Sequence, residues 1–133
     1  MAPEVNVPIR SDSDVVTARQ RGRELAARVG FSTTDQTLFA TAISEVARNI
    51  VSYAGHGEIL LSGIEEGTRR GIQVVARDQG PGIADVELAM RDGYSTGNSL
   101  GVGLPGARRL VDDFELKSEP GLGTTITLKK WLR

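Results

Sequence analysis

An acid and an amide four positions apart, Glu45 and Asn49, lie inside a segment whose apolar residues recur at helical spacing. Four residues make about one turn of an α-helix, so the two side chains project from the same face. That face flanks the apolar stripe and would border a cleft between the helix and whatever covers it. The pair therefore indicates either a site where both groups meet a ligand or two ordinary polar residues at a helix margin.

A second candidate is the segment RDQGPGI, residues 77–83, in which Asp78 ends a strand-like run and Gly80 and Gly82 follow. A carboxylate at a strand end can accept a hydrogen bond from an exocyclic amine at the floor of a pocket. Glycines after it allow the backbone to approach a flat ring closely. The same spacing is also compatible with a tight turn that simply ends a strand.

Two further segments are rich in glycine. Gly101 and Gly103 lie in GNSLGVGLPG, residues 97–106, and lead into a helix. Free backbone N–H groups at a helix start suit a phosphate. The literal G-x-G-x-x-G match to a dinucleotide fingerprint is discounted, because a polar loop and not a strand precedes it. In GLGTT, residues 121–125, Thr124 could hydrogen-bond the same group as Asp78, although a hairpin turn alone explains the pattern.

Composition limits the alternatives. The 133 residues suffice for one domain, expected to span 1–133, and the net charge of −1 gives no sign of nucleic acid as a partner. No apolar run is long enough to cross a bilayer and no signal peptide is evident, so we expect a cytoplasmic protein without a membrane partner. The chain has no cysteine, one histidine (His56) and three lysines, the first being Lys117. Thiol chemistry and a P-loop are therefore excluded, and a Ser–His pair has little to build on.

The helices and strands that position these residues are predicted from apolar periodicity and from residues that typically begin or end such elements. Ser11 or Ser13 is expected to cap a helix to Val29, and Ser32 or Thr33 a second helix to about Ala54. The expected strands cover 3–10, 58–64, 72–78, 114–119 and 124–132, and further helices cover 84–93 and 104–113. This order predicts an α/β two-layer sandwich with a mixed sheet and helices on one face.

The four motifs in this order resemble the GHKL superfamily of ATPases and kinases, over residues 38–128. E-x-x-x-N lies on a helix, D-x-G-x-G follows a strand, G-x-G opens a helix, and G-T begins a strand. The resemblance implies the Bergerat fold, in which ATP lies between the helices and a lid. It also implies ATP and Mg²⁺ as the small molecules bound.

The resemblance assigns roles at the phosphate end of the nucleotide. Glu45 corresponds to the general base, and Asn49 corresponds to the residue that binds Mg²⁺. Gly101 and Gly103 correspond to the lid glycines that close on the phosphates. Arg48, beside Asn49, departs from many members of the superfamily. Its direction, away from the apolar stripe, favours a solvent-facing role over a phosphate contact.

The resemblance also assigns roles at the adenine end. Asp78 corresponds to the acid that accepts the adenine amino group. Gly80 and Gly82 correspond to the glycines that shape the adenine wall, and Thr124 corresponds to the threonine near adenine.

Within the superfamily, four segments are similar to the RsbT-type switch kinases of the stressosome, a group of serine/threonine kinases that regulate bacterial sigma factors. They are TAISEVARNIVSYAGHGEI, DQGPGI, DGYSTGNSLGVGLPG and KKWLR. This implies phosphorylation of STAS-domain proteins of the RsbS and RsbR types, followed by release and activation of a PPM-type phosphatase of the RsbU type. An anti-sigma factor kinase that sequesters a sigma factor directly, and an adaptor that has lost catalysis, stay open as alternatives.

Overall fold

In the computed structural model, which describes residues 4–82 and 103–133, helices and strands follow one another largely in the predicted order. The predicted helix over 84–93, and Gly101 with it, lie outside these residues. The described elements, in chain order, are β1 (Glu4–Ile9), α1 (Asp12–Val29), α2 (Thr33–Tyr53), β2 (Gly57–Glu66), β3 (Arg69–Asp78), α3 (Gly103–Arg109), β4 (Asp113–Glu119) and β5 (Gly123–Trp131).

The five strands form one sheet in the order β1-β2-β3-β5-β4, and all four described pairings are antiparallel. The two-layer arrangement is as expected, but the expectation of a mixed sheet is wrong. Helices α1 and α2 form a hairpin that returns the chain to the end of the sheet where β1 finished, so β2 runs against β1. β3 and β4 do run parallel, but β5 folds back between them and separates them.

Helix α3 is shorter than the predicted 104–113. Its last turn closes where the Leu110 N–H donates to the Ala107 carbonyl, 3.1 Å away. Two residues later the Asp112 N–H already donates to Lys129 of β5, at 2.9 Å, so the chain has joined the sheet. The alternation of Phe114 and Leu116 with charged residues supports a strand from this point.

The two long helices start differently. The hydroxyl of Ser32 accepts a hydrogen bond from the Asp35 N–H at 3.1 Å, which confirms Ser32 as the N-cap of α2. Ser11 occupies the cap position of α1 but its side chain makes no capping bond. Instead the Asp14 carboxylate reaches back to the N–H of Arg10 at 2.8 Å. Gly30, at φ 114°, ends α1 in the left-handed conformation that glycine adopts without strain.

The core lies between the helices and one face of the sheet. The predicted stripe of α2 is fully buried, and its members are Phe39, Ile43, Val46 and Ile50. It meets buried aliphatic residues of β2, β3 and β5, namely Ile59, Leu61, Ile72, Val74, Ile126 and Leu128. Burying a large aliphatic side chain contributes about 1.5–3 kcal/mol, so this stripe fixes how α2 is rotated on the sheet. Within the described ranges, no helix has the length and hydropathy required to span a membrane.

Candidate functional site

The polar margin of α2 lies beside its buried stripe, as the spacing predicts. Glu45 is 7% exposed and Asn49 is 8% exposed. The Asn49 carboxamide makes no hydrogen bond with any residue of 4–82 or 103–133. No fully enclosed side-chain polar atom of those ranges lacks a partner, so this carboxamide must still reach the surface. A nearly buried amide that stays accessible and unpaired is suited to bind something that the protein does not itself supply.

Glu45, in contrast, has two partners. Its Oε2 lies 3.0 Å from Nη1 of Arg48, and the backbone N–H of Gly103 donates to the same carboxylate. Burial raises the pKa of the Glu45 carboxyl, while the charge of Arg48 and the Gly103 N–H act in the opposite direction. Gly103 opens α3 at φ 54°, which is in the left-handed region.

Arg48 is half-exposed, as its direction on the helix predicts, but its guanidinium turns back to Glu45 rather than only to solvent. The side chains of a helix lean towards its N-terminus, so a residue three positions later reaches an earlier one on the same face. The sequence favoured a solvent-facing role for Arg48 over a phosphate contact. It did not predict the pairing with Glu45 that the structure shows.

The second cluster lies where β3 and β5 meet at one end of the sheet. Oδ1 of Asp78 accepts backbone N–H groups from Gly80 at 3.0 Å and from Thr124 at 3.3 Å. Thr124 therefore contacts Asp78 itself through its backbone N–H, while the prediction that both residues bind the same ligand group stays a prediction. No described residue donates to Oδ2 of Asp78, so that oxygen is the one available to a ligand.

Two residues of this cluster were missed by the sequence reasoning. The register across the sheet places Gly57, Asp78, Thr124 and Ser118 in one row. The Ser118 and Thr124 hydroxyls hydrogen-bond each other at 2.9 Å. A Cβ on Gly57 would lie 3.1 Å from the Cβ of Asp78 and 2.9 Å from Cγ2 of Ile50, so only glycine leaves room there. For Ser118 a signal existed: it shares strand parity with Phe114 and Leu116, which face the helices.

Gly80 and Gly82 are required by packing between parts of the protein. A Cβ on Gly80 would lie 2.5 Å from the Cβ of Ala54, at the end of α2. A Cβ on Gly82 would collide with the backbone oxygen of Glu119. The N–H of Gly121 donates to the Pro81 carbonyl at 2.7 Å. The loop after β3 is therefore held between α2 and the β4–β5 turn, which fixes the surroundings of Asp78.

The two clusters lie along the same half of α2. Gly80 contacts Ala54 at the C-terminal end of the helix, and Asn49 is five residues earlier. That separation is about 7.5 Å of helix rise, on the order of the distance between a nucleobase and its phosphates. The fold thus places the Asp78 carboxylate at one end and the nearly buried Asn49 amide at the other, and both Oδ2 of Asp78 and the amide lack a hydrogen-bond partner among residues 4–82 and 103–133.

Comparison with known proteins identifies the family of this chain. The family model of the histidine kinase-like ATPase domain matches residues 9–130. The chain belongs to this family.

Two relatives of the chain extend the assignment. The chain is 50% identical over 127 residues to the serine/threonine-protein kinase RsbT of Bacillus subtilis (strain 168), covering 96% of each chain. It is 30% identical over 124 residues to the anti-sigma F factor of Heyndrickxia coagulans, covering 86% of this chain and 82% of that one. The chain is accordingly a serine/threonine-protein kinase of the RsbT type, and its kinase-like ATPase domain uses ATP.

A solved structure gives the same fold at low sequence identity. The mycobacterial sensor histidine kinase MprB superposes with a TM-score of 0.57 at 15% identity, over 98% of this chain and 97% of that one. At this identity the likeness concerns the fold alone. The expected histidine kinase-like ATP-binding fold is confirmed.

Proposed function

We propose that this kinase phosphorylates serine or threonine residues of STAS-domain proteins of the RsbS and RsbR types. Once released from them, it activates a PPM-type phosphatase of the RsbU type in a sigma-factor regulatory pathway. The proposal is supported by the 50% identity to RsbT of Bacillus subtilis over 96% of both chains. The observation that carries the chemistry is the nearly buried Asn49 amide, one helical turn from Glu45 and without a hydrogen-bond partner among the described residues.

The proposed nucleotide position follows from the two clusters. Oδ2 of Asp78 accepts a hydrogen bond from the adenine amino group, and the row with Thr124 forms the floor beside it. Gly80 and Gly82 shape the adenine wall by holding the loop against α2 and the β4–β5 turn. Gly101 and Gly103 stay assigned to the phosphates. In this structure the Gly103 N–H donates to Glu45.

The residues present also fit a magnesium ion. Mg²⁺ in proteins keeps several waters and takes one or two protein oxygens together with substrate phosphates. A single amide oxygen from Asn49, unpaired within the described ranges, meets that requirement. Bound Mg²⁺ supplies neutralisation of charge on the phosphates during transfer.

The proposed transfer assigns one proton to one residue. Glu45 accepts the proton of the acceptor hydroxyl while the hydroxyl oxygen bonds to the γ-phosphorus of ATP. The bond from that phosphorus to the leaving ADP oxygen breaks. Such a base must be ionised and held within hydrogen-bond reach of the hydroxyl. The Arg48 and Gly103 contacts hold the carboxylate in place on α2.

The same proposal treats residues 1–133 as a single domain acting in the cytoplasm, with neither nucleic acid nor membrane as a partner. Its support comes from the balanced charge of −1 and the ordinary composition. The alternative is an anti-sigma factor kinase that sequesters a sigma factor and phosphorylates an anti-anti-sigma factor. The 30% identity to an anti-sigma F factor favours that alternative less than the RsbT similarity favours the first.

The test is a labelled-ATP assay with STAS proteins encoded near this kinase, followed by mapping of the modified residue. We expect label on a serine or threonine of a STAS protein and loss of the complex once label is incorporated. Co-purification with a sigma factor instead of a STAS assembly would select the alternative. A wild-type protein that binds no ATP would exclude both.

A further inference from the structure

The ion pair between Glu45 and Arg48 is strongly asymmetric in exposure. The Glu45 side chain is 6% exposed, whereas the Arg48 side chain is 47% exposed, and their nearest atoms are 3.0 Å apart. The Glu45 carboxylate is thus nearly enclosed by protein, while the Arg48 guanidinium covers it from the solvent side. Three residues of separation let Arg48 lean back over the turn that carries Glu45.

Few groups hold the Glu45 carboxylate. Among the described residues its donors are the Arg48 guanidinium and one backbone N–H, that of Gly103. Asn49 lies one helical turn further along α2 and makes no hydrogen bond to it. Arg48 is therefore the one side chain of the described ranges that fixes which way the carboxylate points.

Stability alone explains this contact poorly. A half-exposed ion pair adds little to folding stability, because solvent screens it and ordering the long side chains costs entropy. Positioning has larger consequences, since a displacement of about 1 Å in a reacting group can cost 10²-fold in rate. A base that must meet a hydroxyl depends on this orientation.

We propose that Arg48 is a positioning residue for phosphoryl transfer: it holds the Glu45 carboxylate towards the acceptor hydroxyl and does not bind the nucleotide. The inference rests on the proposed function, in which Glu45 is the base. It assigns to Arg48 a role that acts entirely through its neighbour.

The first experiment separates turnover from binding. Arg48→Ala is expected to lower kcat for phosphotransfer by about tenfold to a hundredfold. The ATP dissociation constant and the KM for ATP should stay within about twofold, because the amide and adenine contacts are untouched. Arg48→Lys should restore part of the loss, since it keeps the charge but lacks the planar fork.

Arg77→Ala is the matched control. Arg77 pairs with Glu58 at 2.9 Å and is 50% exposed, but both residues face away from the helices. Its removal should leave kcat and KM unchanged. A loss in Arg77→Ala equal to that in Arg48→Ala would reduce the Arg48 effect to general loss of a surface ion pair and overturn the proposal.

A double-mutant cycle gives the decisive readout. If Arg48 acts only through Glu45, then Glu45→Ala/Arg48→Ala should be no slower than Glu45→Ala. Additive losses, a raised ATP dissociation constant in Arg48→Ala, or wild-type kcat in Arg48→Ala would each overturn the inference.

Failure of the proposed function is distinguishable from failure of this inference. If the wild-type protein binds ATP but modifies no STAS protein, the same cycle is measured on its intrinsic ATP hydrolysis, where water replaces the hydroxyl. Non-additivity there supports Arg48 even though the acceptor was assigned wrongly. A wild-type protein without ATP binding refutes both.

Discussion

The proposed phosphate end of the candidate site, around Glu45 and Asn49, and its proposed adenine end, around Asp78, are built by different means. At the phosphate end, side chains on one face of α2 carry the site, and the Asn49 amide is left without a partner among the described residues. At the adenine end, backbone groups carry it: two N–H groups hold one oxygen of Asp78, and glycines bring three segments into contact. From this contrast we expect folding alone to form the adenine end, whereas a bound ligand completes the phosphate end.

The greatest loss of activity is expected at the phosphate end. Glu45→Ala should lower phosphotransfer by roughly 10²–10⁴, the usual contribution of a positioned base, while ATP still binds. Because release from the STAS partner is expected to follow its phosphorylation, the variant should also remain bound to that partner in ATP. Phosphoserine formation, ATP affinity and co-elution measure the three effects.

Asn49→Ala is the companion to that variant. It removes the proposed metal contact, so it should weaken binding of Mg-ATP itself, unlike Glu45→Ala. Wild-type transfer by Glu45→Ala would return Glu45 to a polar residue at a helix margin. Equal ATP affinities in the two variants would show that the roles of acid and amide are not separated.

The phosphate end can be predicted from the sequence to the extent that its residues are neighbours on a single helix. The period of a helix fixes which residues share a face, so the sequence alone places Glu45 and Asn49 beside the stripe of Ile43 and Ile50. It predicts the direction of Arg48 too, but not its partner. A rotamer that turns back along the helix depends on a buried carboxylate nearby, and burial is a property of the fold.

The adenine end is harder to predict because it depends on register between strands distant in sequence. Asp78 and Thr124 are recognisable as motif residues. The backbone contact between them, however, follows only from their pairing on β3 and β5. Ser118 joins through its pairing with Thr124 on β4 and β5. The antiparallel sheet was missed for the same reason, since nothing local to β3 or β4 shows that β5 lies between them.

The second prediction tests whether folding completes the adenine end. Gly123 has φ 125°, and a Cβ there would collide with the backbone oxygen of Asp78. Gly123→Ala combines a strained backbone with displacement of a neighbouring strand, so it should destabilise the protein by about 2–4 kcal/mol. Denaturant unfolding measures this. The loss should persist without nucleotide, because the contact lies within the protein.

Gly121→Ala is the control for that variant. Gly121 also has positive φ, 82°, but a Cβ there would meet nothing within 4 Å. Gly121→Ala should lower the stability by about 1 kcal/mol, which is the cost of a side chain at positive φ without a steric clash. Equal losses for the two glycines would show that the close approach to Asp78 is not what holds this end together.

The third prediction concerns the nucleobase. If Asp78 accepts a hydrogen bond from the adenine amino group, as proposed, ATP should bind roughly tenfold to a hundredfold more tightly than GTP, because Asp78 would face a carbonyl oxygen in guanine. Asp78→Asn makes the test more specific. The amide oxygen of the asparagine can keep the hydrogen bonds from the Gly80 and Thr124 N–H groups. Its NH₂ group then stands in place of Oδ2 of Asp78 and is a donor instead of an acceptor. The preference for ATP should then shrink or invert in calorimetric titrations, whereas equal binding of both nucleotides to the wild-type protein would remove the assignment.

A pH dependence at the phosphate end is the weakest of these effects. Burial raises the pKa of the Glu45 carboxyl in the folded protein. An acid whose pKa is higher folded than unfolded favours folding in its neutral form, so ionising it costs stability, progressively between the unfolded and folded pKa values and fully above both. Glu45→Gln resembles the neutral form. It should therefore be slightly more stable than the wild type at neutral pH, and the difference should vanish below the unfolded pKa.

Two outcomes of that measurement decide between descriptions of the site. Thermal unfolding of the wild-type protein and Glu45→Gln across pH gives the difference directly, with Glu58→Gln as a control on the sheet face opposite the described helices. A Glu45→Gln protein less stable at neutral pH would mean that the Arg48 and Gly103 contacts outweigh burial, and that the phosphate end is as fully formed by folding as the adenine end. A more stable one, with catalysis lost, would mean that the fold holds this acid ionised at a cost to stability, as expected of a group kept for proton transfer.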